Sequence, residues 1–336
     1  MFDCSDDVLA YHDEKTTLPQ AERSAMRKRR DANRERLKSR LKERGKPLPH
    51  EFIKQGSYAM LTMVQDPDND YDIDDGAYFT QVSLRDKDGK DMPAKEARGM
   101  VCDALKDDRF TRQPQVRTSC VRVYYNEGYH VDVPVYRIRE SDGEYELASG
   151  DSWIVSRAAD VEAWFNDVNA QSSPDDENGG QFRRVTRMGK KFARSRAAWK
   201  PQIAPGFTVT KLVAEKYVSD ADREDVALRQ TMRGIYDRLA INLEVDHPVT
   251  PGTKLTKGPN DPETAFLRSK LADALNDLAV LDDAACTRKK ALAAWDKVFN
   301  TDFFSQRDAN NAAAAVAATY GRGPAIISNP AKPWSR

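Results

Sequence analysis

Two aspartates in the segment YDIDDG are the residues whose type and spacing most directly indicate chemistry. On a β-strand Asp72 and Asp74 leave the same face, while Ile73 between them points into a core. Two carboxylates that lie this close repel each other unless a cation is placed between them. Mg²⁺ prefers hard oxygen ligands of this kind and acts as a Lewis acid on phosphate groups. The spacing therefore predicts a divalent metal site, with Asp75 and Gly76 in the turn that ends the strand.

A second predicted strand, HVDVPVY at 130–136, offers a third carboxylate. Alternation places Asp132 on the face opposite its valine neighbours. An aspartate among valines in a β-run is unusual when its role is only structural. The structural alternative, a carboxylate that only accepts hydrogen bonds at a sheet edge, stays open from the pattern alone. With Asp72 and Asp74, this residue would complete a set of three carboxylates.

A short turn upstream of the acidic strand predicts a phosphate-binding site. In QGSY, Gly56 permits a close approach of the backbone to a ligand, and Ser57 offers a hydroxyl beside the free N–H groups at the start of a helix. A Gly-Ser pair occurs in many turns and carries little information alone. Its weight comes from its place just before a strand with two aspartates, with a third aspartate further along the chain.

The elements that must position these residues are predicted from periodicity. Residues 21–45 form a helix, and residues 50 to about 150 form strands with one intervening helix at 96–107. The strand segments are QVSLRD, VRVYY, HVDVPVYRI and EYELA. After residue 150 the pattern is helical. We therefore expect an α+β fold in which a sheet with flanking helices is joined to a C-terminal helical domain.

Domain boundaries follow from this change of pattern. We predict a core with an N-terminal helix at 1–150, a helical domain at 151–308, and a flexible tail at 309–336 that ends GRGPAIISNPAKPWSR. In the helical domain, Asp261 is the predicted N-cap of a helix. The apolar stripe of that helix is Leu267, Leu271, Leu275 and Leu278.

Composition sets limits on function. The 53 basic and 53 acidic residues give a net charge of zero, which weighs against a dedicated binder of long nucleic acid but not against a nucleotide substrate. The basic run at 21–45 is interpreted as a solvated helix face rather than a phosphate contact. The four cysteines form no CxxC pair, and the four histidines show no zinc-ligand spacing. With no apolar run long enough to span a membrane and no signal-peptide pattern, a soluble cytoplasmic protein is expected.

The motifs Gly-Ser, Asp-x-Asp and a distant single Asp, in this order, resemble the motif pattern of the DNA polymerase beta-like nucleotidyltransferase superfamily. Within it the chain resembles the bacterial cGAS/DncV-like nucleotidyltransferases (CD-NTases), most closely the DncV-like dinucleotide cyclases. The segments that carry the finer resemblance are QGSY, DIDDGAY, TSCVRV, HVDVPVY and VEAWFNDV, within about residues 50–215. The resemblance implies a polymerase beta-like core, with a mixed sheet and flanking helices, joined to a C-terminal helical domain.

The same resemblance implies residue roles. Asp72, Asp74 and Asp132 would be the catalytic residues and would bind two Mg²⁺ ions, for which Mn²⁺ can substitute. The nucleotide-binding residues would be Gln55, Gly56, Ser57, Arg122, Lys190 and Thr208.

Lys190 and Thr208 do not match the family motif unambiguously, and Met60 differs from the residue that close relatives carry. Lys190 has Lys191 as an alternative in the register, and Thr208 stands where relatives usually carry a serine. Met60 replaces an aromatic residue of close relatives, so the choice of base stays open.

The function that the resemblance implies is metal-dependent joining of nucleoside triphosphates into a cyclic di- or trinucleotide messenger, in bacterial antiphage (CBASS) signalling. The substrates would be ATP and one or more of GTP, CTP and UTP, with no obligatory nucleic acid and no membrane. The protein is expected to be a monomer, with operon-encoded regulatory partners acting on its tail. Alternatives are a non-cyclising enzyme, either oligoadenylate synthase-like or modifying a small molecule, and a catalytically inert nucleotide-binding relative.

Overall fold

The sheet that carries the acidic strand is mixed and has eight strands within residues 1–69, 71–126 and 128–308, which the computed structural model describes. The strands are β1 (Glu51–Gln55), β2 (Asp72–Thr80), β3 (Gln115–Val116), β4 (Val121–Tyr124), β5 (His130–Val133), β6 (Val135–Ile138), β7 (Tyr145–Ser149) and β8 (Ser152–Val155). β2 is central, because it pairs antiparallel with β1 and parallel with both β5 and β6. Antiparallel pairs β3–β4, β4–β5, β6–β7 and β7–β8 complete the sheet.

Strands β5 and β6 follow β2 in one continuous register. Asp72 pairs with His130 and Ala77 pairs with Val135, so the offset along the chain is the same in both strands. Pro134 separates them because proline has no N–H for the ladder, yet its carbonyl still accepts a hydrogen bond from the Ala77 N–H at 2.8 Å. The segment HVDVPVYRI therefore acts as one interrupted strand.

Helices cover the sheet on one side and form a separate packed group after it. They are α1 (Ser5–Tyr11), α2 (Gln20–Glu43), α3 (Gly56–Ala59), α4 (Ala94–Leu105), α5 (Ala158–Ser172), α6 (Gln181–Ala193), α7 (Gly206–Lys216), α8 (Glu224–Ile241), α9 (Pro262–Asp277) and α10 (Arg288–Phe299). One hydrophobic cluster joins α2 and α4 to the sheet through residues such as Leu37, Val101 and Ile73. A second joins α1 to α5–α10, with Val8, Phe182 and Trp295 among its buried members.

Several local predictions are confirmed by physical detail. The helix predicted at 21–45 is α2, in which Met26, Leu37 and Leu41 are buried. Asp261 caps α9, because its side chain accepts a hydrogen bond from the Thr264 N–H at 2.8 Å. The four leucines of the predicted stripe are all buried. The predicted α+β fold, with a C-terminal helical part, is confirmed.

Two local predictions are wrong. β2 does not end in a turn at Asp75 and Gly76 but continues to Thr80. It continues because the face of β2 opposite Asp72 and Asp74 packs against apolar side chains. QVSLRD forms no strand and instead contains a short 3₁₀ turn at Val82–Leu84.

The domain boundaries stay a prediction. The last strand runs to Val155, and α1 packs with the C-terminal helices rather than on the sheet. The predicted tail at 309–336 lies outside the described residues. Within the described ranges, no helix is both long and apolar enough to cross a membrane.

Candidate active site

Strand register brings the three predicted carboxylates to one face of the sheet. β2 and β5 run parallel with Asp74 beside Asp132, and Asp72 beside His130. Alternation then places Ile73 and Val131 in the core beneath them, where both are fully buried. The sequence predicted each face correctly, and pairing between strands adds the contact between them.

The middle carboxylate is held in an environment that opposes its charge. Burial, then repulsion from Asp132, then repulsion from Asp72 raise the pKa of Asp74 to about 7 from an ordinary value of 3.8. The two neighbouring carboxylates thus make the negative charge at this point costly. This is the electrostatic condition that a divalent cation relieves.

Arg122 occupies both oxygens of the third carboxylate. β4 and β5 are antiparallel with Arg122 directly opposite Asp132, so the two side chains leave the same face. The guanidinium donates from Nε to Oδ1 at 2.8 Å and from Nη2 to Oδ2 at 2.7 Å. Its Nη2 also lies 3.4 Å from Asp72 Oδ1. This bidentate pair raises the pKa of Arg122 above its ordinary value.

The predicted metal site has suitable ligands, but they are not grouped around a common point in this structure. Among the residues that the structure describes, no three His, Cys, Asp or Glu side chains are grouped so that they could hold a metal ion as they stand. The donor chemistry nevertheless fits Mg²⁺, since Asp72, Asp74 and Asp132 are hard oxygen ligands with excess negative charge at Asp74. The Arg122 guanidinium bridges Asp132 and Asp72 in this arrangement.

The Gly-Ser turn lies against these carboxylates. Gly56 begins α3 directly after β1, with φ at +62°, and a Cβ at this position would lie 2.3 Å from Asp74 Oδ2. Only glycine permits both the left-handed backbone and this approach. Ser57 follows in the first turn of α3 and lines the same cavity as Asp74.

We expect Gly56→Ala to impair both folding stability and activity, with activity falling by at least about 100-fold because Asp74 must move. Gly45→Ala is the matched control. Gly45 also has a positive φ, at +60°, but a Cβ there would meet nothing within 4 Å. The control should cost about 1 kcal/mol of unfolding free energy from backbone strain and leave activity intact. Denaturant unfolding and initial rates check this, and equal activity in both variants would contradict the close approach.

Gln55 has structural partners in addition to its place in the cavity wall. Its side-chain amide donates to the Tyr78 hydroxyl at 2.7 Å and accepts from the Tyr136 hydroxyl at 3.2 Å. The two tyrosine rings are stacked, with centroids 4.3 Å apart. Gln55 is buried, so these contacts fix the start of the Gly-Ser turn. Its predicted contact with a nucleotide stays a prediction.

A cleft between the sheet and the C-terminal helices contains most of the predicted residues. The cavity volume is about 370 Å³. Predicted residues in its wall are Gln55, Gly56, Ser57, Asp72, Asp74 and Lys190. Asp132 and Arg122 do not line this cavity. Asp132 lies beside Asp74 on the neighbouring strand β5, and Arg122 lies beside Asp132 on β4. Thr208 is buried in α7 and is not among the lining residues, whereas its neighbours Gly206 and Phe207 are.

Helix α6 holds the segment after the Gly-Ser turn through four cationic side chains. Each donates to a backbone carbonyl, and Leu61 in this segment has a positive φ of 56°. The pairs are Arg183 Nε to Met60 O (3.2 Å), Arg187 Nε to Leu61 O (2.9 Å), Lys190 Nζ to Thr62 O (2.8 Å) and Lys191 Nζ to Gln65 O (2.9 Å). The spacing of these donors follows the helix repeat, so one face of α6 fixes the loop.

Lys190 and Lys191 are thereby distinguished. Lys190 lines the cavity, and Lys191 does not. Burial, followed by repulsion from Arg194 and Arg187, lowers the pKa of Lys190 to about 7. A buried ammonium with other cations as neighbours gains from the arrival of an anion, which favours Lys190 over Lys191 as the phosphate-binding residue.

Among the cavity-lining residues that sequence reasoning missed are Arg194, Phe207 and His247. Arg194 stands four positions after Lys190, so helical spacing could have indicated it. His247 comes from a distant loop, and no local pattern points to it. Its Nδ1 accepts from the Thr250 N–H at 3.1 Å, and burial lowers its pKa, so the neutral ring carries its proton on Nε2.

Comparisons with known proteins find a similar domain sequence and similar folds. Residues 50–136 match the family described as "Cyclic GMP-AMP synthase DncV-like, nucleotidyltransferase domain". A structure of Escherichia coli CdnC with ATP superposes with a TM-score of 0.65 at 16% identity, covering 89% of this chain and 98% of that one. A mutant of the Vibrio cholerae di-nucleotide cyclase DncV, in complex with ATP, GTP and 5MTHFGLU2, gives a TM-score of 0.69 at 18% identity, with coverage of 85% and 92%.

A third similar structure is a complex of E. coli CdnC with HORMA-deltaN, at a TM-score of 0.64 and 17% identity, covering 88% of this chain and 97% of that one. At these identities the structural likeness shows the fold. Together with the family match, it confirms the resemblance to bacterial cGAS/DncV-like nucleotidyltransferases that the motifs indicated. The three aspartates and the Gly-Ser turn all lie inside the matched range.

Proposed function

We propose that this protein is a metal-dependent nucleotidyltransferase that joins nucleoside triphosphates into a cyclic di- or trinucleotide messenger and releases pyrophosphate. The observation that supports it best is the parallel pairing of Asp74 with Asp132 beside a Gly-Ser turn that contacts Asp74. The match to a DncV-like nucleotidyltransferase domain over the same residues supports the reaction class.

In this proposal each group has a separate task. Asp72, Asp74 and Asp132 would hold two Mg²⁺ ions, or Mn²⁺ in their place. When bound, these ions supply Lewis-acid activation of an attacking ribose hydroxyl and charge stabilisation at the α-phosphate. Ser57 and the N–H groups at the start of α3 would bind the triphosphate.

Cationic side chains in the same cavity would receive the leaving group. Lys190 and Arg194 line the cavity together with Asp72 and Asp74 and would neutralise the charge that develops on pyrophosphate. The cleft would also keep a linear intermediate next to the residues that made it. Restraint of two nucleotides in one cavity favours a second transfer over release, which closes the ring.

Substrates and partners are part of the proposal. ATP, with one or more of GTP, CTP and UTP, fits the neighbours, which were solved with ATP or with ATP and GTP. A complex of CdnC with HORMA-deltaN supports regulation by protein partners. A cytoplasmic monomer that serves in antiphage signalling, needs no templating nucleic acid and is regulated by operon-encoded proteins acting at its tail completes the proposal.

The test is incubation of purified, nuclease-treated protein with all four nucleoside triphosphates and Mg²⁺, followed by mass spectrometry and phosphatase treatment. We expect a phosphatase-resistant product without added DNA or RNA, because a ring has no removable terminal phosphate. Linear, phosphatase-sensitive products would instead identify a non-cyclising enzyme. No pyrophosphate release with either Mg²⁺ or Mn²⁺ would indicate an inert relative.

A further inference from the structure

We propose that Arg122 is an internal cation that occupies the third metal ligand until a nucleotide draws it away. The metal site is then completed only when nucleotide and metal arrive together. This inference rests on the proposed nucleotidyl transfer, and it assigns Arg122 a positioning role that a nucleotide contact alone does not include.

The contact that carries the inference engages both oxygens of Asp132. Both carboxylate oxygens accept hydrogen bonds from one guanidinium, at 2.8 and 2.7 Å, in the parallel two-bond geometry that arginine forms with carboxylates. Asp132 is 7% exposed, so water cannot replace this partner freely. A metal ion that takes the lone pairs used in this two-bond geometry must displace Arg122, and one that takes the remaining lone pairs lies beside a guanidinium of the same sign of charge.

Arg122 also compensates charge beyond Asp132. Its Nη2 lies 3.4 Å from Asp72 Oδ1, so one guanidinium bridges carboxylates on two strands. Arg122 thus stands in the part of the site where a divalent cation would act and carries a charge of the same sign.

Charge pairing explains why neither ligand should bind well alone. A divalent ion without nucleotide would place its charge beside a displaced guanidinium that has no anion. A triphosphate without metal would face three carboxylates. When both bind, the metal pairs with the aspartates, the guanidinium pairs with nucleotide oxygens, and no charge is left alone. Arg122 is three-quarters covered at its side chain, but its remaining exposure permits this exchange.

The experiment measures Mn²⁺ binding without nucleotide, by the loss of the free-ion EPR signal, in the full chain and in Arg122→Gln. We expect Arg122→Gln to bind Mn²⁺ at least about tenfold more tightly, because Asp132 is released and a cation is removed. Thermal melting gives a second readout. Mn²⁺ should raise the melting temperature of Arg122→Gln and leave that of the unmodified protein almost unchanged.

Arg34→Gln is the matched control. Arg34 makes the same bidentate contact with Asp75, the next residue on β2 but on the opposite face, at 2.7 and 2.5 Å. This control should not change Mn²⁺ affinity. If Arg122→Gln does not fold, Arg122→Lys replaces it, since one ammonium cannot hold both oxygens and should give an intermediate gain.

Equal or weaker Mn²⁺ binding in the folded Arg122 variants would overturn the inference. This outcome is separate from the proposed function, because Mn²⁺ binding is measured without turnover. If the unmodified protein makes no product but Arg122→Gln gains Mn²⁺ affinity, the proposed function is refuted and the inference about Arg122 stands. If the unmodified protein makes product but Arg122→Gln has unchanged Mn²⁺ affinity, the inference is refuted and the proposed function stands.

Discussion

Replacing Asp72 and Asp74 together by alanine should abolish nucleotidyl transfer and leave the melting temperature unchanged or raised. Activity is lost because the two carboxylates on one strand face are the proposed metal ligands. Stability is kept or gained because burial and two neighbouring carboxylates make the charge on Asp74 unfavourable in the folded protein. Pyrophosphate release and thermal melting of the same samples check both parts.

The gain in stability should depend on pH in a defined direction. The pKa of Asp74 is raised from 3.8 to about 7, so between these values the folded protein keeps a proton that the unfolded chain releases. Stability is therefore lost as the pH rises through this window. The variant should gain more over the unmodified protein at pH 8 than at pH 5, measured without divalent cations.

Asp75→Ala is the matched control on the same strand. Asp75 points to the opposite face and forms a bidentate pair with Arg34. Its removal should lower the melting temperature and leave the chemistry in place. A double Asp72 and Asp74 variant that melts several degrees lower yet keeps its activity would refute the metal assignment.

Lys190→Ala should weaken nucleoside triphosphate binding by about 10- to 100-fold while affecting monophosphate binding far less. Lys190 lines the cavity, and its ammonium is buried among Arg187 and Arg194 without a carboxylate in hydrogen-bond contact. The terminal phosphates supply the anion that this group lacks. Calorimetric titration with Mg²⁺ present, using AMP and an ATP analogue whose bond between the α- and β-phosphates cannot be cleaved, measures the difference.

Lys191→Ala is the control for the register of α6. Lys191 donates to the Gln65 carbonyl, as Lys190 donates to Thr62, but does not reach the cavity. It should therefore leave ATP binding nearly unchanged. Equal weakening of ATP and AMP binding in Lys190→Ala would show that the lysine only positions the loop, and a larger effect in Lys191→Ala would reverse the assignment.

The pH dependence of ATP binding gives an independent check. Since the pKa of Lys190 is lowered to about 7, the free protein loses this positive charge as the pH rises above 7. ATP binding favours the protonated amine, so affinity should fall from pH 6 to pH 9. Lys190→Arg should reduce this dependence, because a guanidinium stays charged throughout the range.

The sequence alone determined which strand face carries each aspartate and where the Gly-Ser turn lies. Alternation along a strand is a local property of the backbone, so Asp72 and Asp74 could be placed together, and Asp132 opposite its valines, without knowledge of the fold. The glycine before Ser57 was equally local, because a left-handed residue at a strand-to-helix turn requires it.

Partners across the chain were decided by the tertiary structure. Arg122 and Lys190 carry the same formal charge in the sequence, yet one holds a carboxylate and the other a carbonyl of Thr62. Asp75 was assigned to a turn, but packing carries β2 past it and gives it to Arg34. His247 reaches the cavity from a distant loop. Which face a side chain leaves depends on its own strand or helix, whereas the group that it meets depends on the register of segments far away in the chain.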